Sequence, residues 1–202
     1  MEQEPLEKKE KNEQKSNIRA VFREIIIFIL FAVGVVLPFR FFIAEPYVVS
    51  GASMDPTFAT GHYLIVDKIS YKFEEPKRNS VIIFTFPKEA NVPAEDGRNL
   101  IKRVIGLPGD TVVMNGNEVK IINKDNPNGF VLNQSYVTHK SPSNFSVTLK
   151  EGQYFVMGDN RKESYDSRSW GILPKEDIIG RPVLRLLPVN EISILPGNFS
   201  EK

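Results

Sequence analysis

The chain has 202 residues, a formal net charge of +1, no cysteine and two histidines, His62 and His139. That length suits one membrane segment plus one domain with a sizeable core, and the charge balance lacks the gathered basic excess of a nucleic-acid binder, so no nucleic-acid partner is expected. Without cysteine there is no disulfide, thiol catalysis or Cys-ligated zinc, and two isolated histidines leave at most one ring for a Ser-His-Asp triad; no metal and no cofactor are expected.

From Met1 to Arg23 the sequence is rich in Glu and Lys and nearly free of apolar residues, which reads as a solvated, disordered tail. Ile25 to Phe39 carries no charge, and after Arg40 the apolar run resumes with Phe41-Phe42-Ile43-Ala44. A span of residues 24–44 is long enough to cross a bilayer at 1.5 Å per residue, with Arg40 near one end where its stem reaches the interface. Phe39, Phe41, Phe42 and Tyr47 lie where an aromatic belt would sit. A cleaved leader is the alternative, but Ile43-Ala44-Glu45-Pro46 matches a small-x-small site poorly; a buried globular helix would seldom be apolar on every face. Lys15, Arg19 and Arg23 precede the span, whereas no Lys or Arg lies between Phe41 and Asp67. The tail is then cytoplasmic and residues 45–202 extracytoplasmic.

The outer part reads as mainly β, a folded sheet or partial barrel. His62 to Lys68 and Ser80 to Phe86 are short runs rich in β-branched and aromatic residues. Thr111 to Met114 and Asn117 to Ile122 flank Asn115-Gly116, a strong hairpin signal. Further strands are expected at Leu100 to Ile105, Phe145 to Leu149, Tyr154 to Met157 and Val183 to Leu187, with a single helical turn around Lys175 to Ile178.

Three stretches carry candidate chemistry. Val49-Ser50-Gly51-Ala52-Ser53-Met54-Asp55-Pro56-Thr57 sets Ser53 among small residues, which lets a substrate carbonyl approach the hydroxyl while backbone N–H groups face its oxygen; the same composition also makes a plain turn. In the strand after Asn99, alternation puts Leu100, Lys102 and Val104 on one face and Ile101, Arg103 and Ile105 on the other. A lysine among aliphatic side chains has its charged form disfavoured, so a neutral Lys102 amine can take a proton from a serine; a lysine snorkelling to water is the other reading. Lastly, Gly158 to Gly171 is a polar loop in which Ser164, Asp166 and Arg168, if extended, point one way and can hold a lysine head group. A turn satisfying its own backbone has the same composition.

In this order and after an N-terminal anchor, the three stretches resemble bacterial type I signal peptidase, in the short form of Gram-positive bacteria. The likeness rests on Ser50-Gly51-x-Ser53-Met54-x-Pro56-Thr57, Lys102-Arg103-Val104-x-Gly106-x-Pro108-Gly109-Asp110 and Gly158-Asp159-Asn160-Arg161-x-x-Ser164-x-Asp166-Ser167-Arg168. The resemblance implies a Ser/Lys dyad on a mostly β fold, with Ser53 as nucleophile and Lys102 as general base. It places Ser164 as the hydroxyl that orients the lysine, Asp166 and Arg168 as a supporting polar pair, and Arg103 and Asp159 as partners. Some members have a serine two residues before the nucleophile as an oxyanion donor. Here that position is Gly51, so the oxyanion falls to the Ser53 N–H and to a second N–H or a water near Gly51. Tyr47 to Ser50 and Asn99 to Ile101 match the strands between which substrate lies extended, making Val48, Val49, Ser50, Met54, Leu100 and Ile101 substrate contacts.

The sequence thus reads as a membrane-anchored serine endopeptidase whose partners are signal peptides of exported preproteins and the lipid bilayer. A self-cleaving Ser/Lys peptidase and a non-catalytic anchored β domain are the alternatives. Retention of both Ser53 and Lys102 speaks against the second, because a binding module needs neither.

Overall fold

A computed structural model describes residues 19–36, 44–90 and 97–199. It divides into two units, residues 1–43 and 44–202.

In the first unit, residues 19–31 form helix α1, which continues as a π-helical turn over Ala32–Val36. The helix therefore takes in Arg19 to Arg23, which composition assigns to the tail. Its apolar side chains, among them Ile25, Phe28, Leu30 and Phe31, are exposed. Among the described residues, no helix is long and apolar enough to cross a membrane. Residues 37–43 of the expected span lie outside the described residues, and Ala44, read as the end of the span, is instead the first residue of a strand.

The second unit is built from strands β1 (Ala44–Val48), β2 (Tyr63–Asp67), β3 (Val81–Thr85) and β4 (Asn99–Gly106). They are followed by β5 (Thr111–Gly116), β6 (Glu118–Ile122), β7 (Phe130–Val131) and β8 (Ser143–Thr148). The last four are β9 (Gln153–Met157), β10 (Leu173–Pro174), β11 (Ile178–Leu187) and β12 (Ser193–Ile194). Two single helical turns, α2 (Ser70–Phe73) and α3 (Ser167–Trp170), interrupt them. One antiparallel sheet has the order β1-β2-β11-β3-β4-β9-β10, with β12 also on β11; the second has the order β7-β6-β5-β8.

Several of these strands follow from alternation, others from short apolar runs buried on both faces. In β2 alternation puts Leu64 and Val66 inside and leaves Tyr63, Ile65 and Asp67 partly exposed. The hairpin forms as expected, but Asn115 pairs with Glu118, so the loop is Gly116-Asn117. Only Gly116 has positive φ, 59°, and a hairpin turn with glycine first suits the strand twist. Strand β11 starts five residues earlier than expected, because Pro182 reads as a breaker whereas here it sits at a register shift opposite β2, where its missing N–H is tolerated. A second shift faces β3, between Ile178 and Gly180. These irregularities bend the long strand on which β2 and β3 both pair, so the sheet curls.

Strand β4 runs through the middle of three apolar clusters. Leu100 and Val104 pack with Ile82, Phe84, Tyr154 and Val156. Ile101 packs on Val49, Met54, Phe58, Leu64 and Val81, and Ile105 joins the cluster of the second sheet around Val112, Val119 and Ile121. The expected two faces of β4 are present, and both are covered.

Candidate active site

Ser53 sits in the connection between β1 and β2, and backbone hydrogen bonds close that connection at its base. Val49 N–H donates to His62 O and Gly61 N–H to Val49 O, each at 2.9 Å. Val49 and Met54, on either side, are buried with Phe58 and Leu64. Anchoring both flanks in the core leaves the small residues between them at the surface, so Ser53 is held rigidly yet only half buried. Its carbonyl accepts the Asn160 N–H at 3.1 Å, which ties the Ser53 backbone to the loop after β9.

Lys102 reaches the same point from β4. Its Nζ lies 2.8 Å from Ser53 Oγ and donates to Ile101 O at 3.1 Å. The residue is 3% exposed, and burial pulls the amine down from 10.5 to about 8; the Asp166 carboxylate opposes that shift and the Arg98 charge adds to it. The lysine is thus buried, not snorkelling. A neutral amine whose N–H is occupied by a carbonyl, an obligate acceptor, can turn its lone pair to the serine O–H.

Arg103, the next residue on β4, points to the opposite face. It makes a two-pronged pair with Asp159, Nε to Oδ1 at 2.8 Å and Nη2 to Oδ2 at 2.6 Å. The remaining nitrogen, Nη1, donates to Asn79 O and Gly197 O, both at 2.7 Å. Thr57 Oγ1 donates to Asp159 Oδ2 at 2.6 Å, so one carboxylate joins all three stretches.

The loop residues Ser164, Asp166 and Arg168 behave differently from the extended arrangement expected. Asp166 ends the extended backbone as the N-cap of α3, accepting from Arg168 N–H, so Arg168 is helical. The Asp166 carboxylate binds the Arg168 guanidinium, both contacts at 2.8 Å, and accepts the Gly158 N–H at 3.0 Å. The pair therefore holds the loop. Ser164 Oγ has no hydrogen-bond partner, and the contact that orients Lys102 is Ile101 O. Gly158 lies where a Cβ would come within 2.3 Å of Ser164 Oγ and 2.4 Å of Ser53 O; only glycine fits between them.

Gly51 N–H is occupied too, donating to Thr60 Oγ1 at 3.0 Å. A cleft of about 240 Å³ extends from Ser53 and is lined by Val48, Val49, Ser50, Leu100 and Ile101, with Leu64 and Ile83 as its floor. Met54 does not line it, being 1% exposed in the core beneath. Among the described residues, strand β1 pairs only with β2, and β4 pairs with β9 only from Arg103 onward. Both walls of the cleft are therefore open strand edges. Thr57 and Thr60 contribute through their hydroxyls, Asn160 through its backbone N–H and Gly158 through close approach; Thr57, Gly158 and Asn160 fall inside the quoted motifs, but composition alone does not mark any of the four. Among the described residues, no group of three or more His, Asp or Glu is placed to hold a metal ion.

A serine hydroxyl against a buried amine, at the head of a cleft bounded by two open strand edges, is the geometry of a peptide-bond hydrolase. The family comparison agrees with that class: the model described as signal peptidase, peptidase S26, matches residues 22–187, and the chain belongs to this family. It is 39% identical over 180 residues to a probable signal peptidase I-1 of Synechocystis sp., covering 88% of each chain. To a signal peptidase I of Leptolyngbya laminosa it is 40% identical over 169 residues, covering 81% of this chain and 79% of the other. To that of Bacillus licheniformis the identity is 36% over 192 residues, covering 89% and 96%.

Proposed function

We propose that this protein is a membrane-anchored serine endopeptidase that removes signal peptides from exported preproteins, with Ser53 as nucleophile and Lys102 as base. The observation that carries the reading is the 2.8 Å contact between Ser53 Oγ and a lysine amine shielded from water. A binding module gains nothing from burying an amine there.

In the reaction, Lys102 Nζ takes the proton of Ser53 as Oγ attacks the carbonyl of the scissile bond. The Ser53 N–H faces the oxyanion. Lys102 returns the proton to the departing amine, leaving an acyl ester on Ser53; it then deprotonates a water that hydrolyses the ester and restores the serine. The residue preceding the cut, and the one two before it, face the floor made by Leu64 and Ile83 and are held to small side chains, because successive side chains of an extended peptide alternate.

An N-terminal tail, an anchor that ends ahead of β1 and an extracytoplasmic domain from Ala44 onward complete the reading. Its support is the exposed apolar surface of Ile25, Phe28, Leu30 and Phe31, and the basic residues Lys15, Arg19 and Arg23 on one side only. The direct test is to incubate detergent-solubilised full-length protein with a preprotein bearing a small-x-small site. A single cut after that site is the expected product. Cleavage of the peptidase itself in place of the preprotein would favour the self-cleaving alternative.

A further inference from the structure

The cleft has two ends, and each is closed by a side-chain contact between its walls. At one end Ser53 meets Lys102. At the other, Asn99 Nδ2 donates to Tyr47 Oη at 3.5 Å, joining β1 to β4. The second contact is prearranged from both sides. Thr85 Oγ1 donates to Asn99 Oδ1 at 3.3 Å, which fixes the amide so that Nδ2 faces the cleft. Tyr47 is oriented by the Glu45 carboxylate, which hydrogen-bonds its hydroxyl and holds it protonated by pushing its pKa up to about 12, after the larger effect of burial. Glu45 is in turn held by Lys68 Nζ at 2.8 Å. A hydrogen-bonded chain from Thr85 through Asn99, Tyr47 and Glu45 to Lys68 thus spans the far end of the cleft.

We infer that the Tyr47–Asn99 contact is an end stop that limits backbone recognition of the substrate to about four residues before the scissile bond. The inference rests on the peptidase reading above and adds to it the length of peptide the site reads. Lys102 and Asn99 are three residues apart on one strand, about 10 Å at ~3.3 Å per residue. A peptide whose scissile carbonyl lies at Ser53 retraces β4 residue by residue and meets the stop near its fourth residue. Up to that point each amide faces an unpaired strand edge, on β1 or on Asn99 to Lys102 of β4. Beyond it the chain must leave the cleft, so a signal peptide needs an extended segment only over those four residues.

The test is an ester scan of a peptide substrate with the full-length enzyme in detergent. One backbone amide at a time is replaced by an ester, from the second to the seventh residue before the cut, which removes a single N–H donor. Each ester within four residues of the cut is expected to lower kcat/KM by roughly threefold to tenfold, and each ester farther away by less than about twofold. In Tyr47→Phe and Asn99→Ala, which lack one side of the stop, the boundary is expected to move outward by at least one residue. Losses that continue undiminished past the fourth residue in the unaltered enzyme overturn the inference, as does an unmoved boundary in both variants. Failure to cut the all-amide peptide overturns the peptidase reading itself, a result distinct from either of those.

Discussion

Arg103 and Asp159 form a two-pronged ion pair in which both side chains are sealed from solvent, at 1% and 0% exposure. Because Asp159 also accepts from Thr57, and its neighbour Asn160 donates to Ser53 O, this pair locks the Ser53 loop to the strand that carries Lys102. Two charges brought out of water cost several kcal/mol each, and only near-ideal geometry offsets that. Removing one partner leaves the other buried and unpaired.

Asp159→Ala is therefore expected to destabilise the domain by about 3–5 kcal/mol, measured by urea unfolding. The double variant Arg103→Met/Asp159→Leu should recover a large part of the loss, because no charge is then left unpaired. Equal instability of the single and double variants would mean that lost packing, rather than lost pairing, is responsible.

At Gly158 the fit is steric. A methyl group there would stand 2.4 Å from Ser53 O, a backbone atom that cannot swing away. Gly158→Ala is expected to lower kcat on the order of 10²-fold by displacing the nucleophile by a fraction of an ångström. Cutting back the other neighbour, in Gly158→Ala/Ser164→Gly, should not restore it. Recovery in the double variant would place the clash at Ser164 alone.

The buried lysine makes stability depend on pH. With a folded-state value of about 8 against 10.5 unfolded, the folded protein holds fewer protons than the unfolded chain between those limits. Stability then rises with pH across that window, and the full penalty, about 3 kcal/mol, is present below it. Lys102→Met should be more stable than the unaltered protein at pH 7 and should lose the rise between pH 8 and 10.5. Thermal unfolding across that range measures both; a parallel rise in the variant would assign the effect to other groups. In the unaltered enzyme kcat/KM should fall about tenfold per pH unit below 8, as the neutral amine is lost.

Much of this fold is legible in the chain because its strands either alternate, as in Tyr63 to Asp67, or form short β-branched and aromatic runs, as in Val81 to Thr85. Strand β1 is not, since Pro46 falls inside it and its start merges with the apolar run before it. The first half of β11 is hidden by Gly180 and Pro182, which mark a bulge rather than a loop. At the site, Ser53 and Lys102 stand out by their neighbours in the chain, and Arg103 and Asp159 through the resemblance their motifs carry. Ile101 O and Asn160 N–H cannot, because a backbone contact leaves no signature in residue type. The alternation of Ser164, Asp166 and Arg168 misleads for a related reason: Asp166 satisfies the first N–H groups of a helical turn, and the extended geometry that alternation assumes ends there.

If Ser53 and Lys102 act as one unit, a double-mutant cycle on signal-peptide cleavage shows it most directly. Ser53→Ala, Lys102→Ala and the double variant are compared with the unaltered enzyme, with folding verified for each. Each single change is expected to abolish the discrete cut and the double change to cost no more than either alone, because a nucleophile without its base is as inert as a base without its nucleophile. Substantial cleavage by either single variant, or losses that multiply in the double variant, would contradict it.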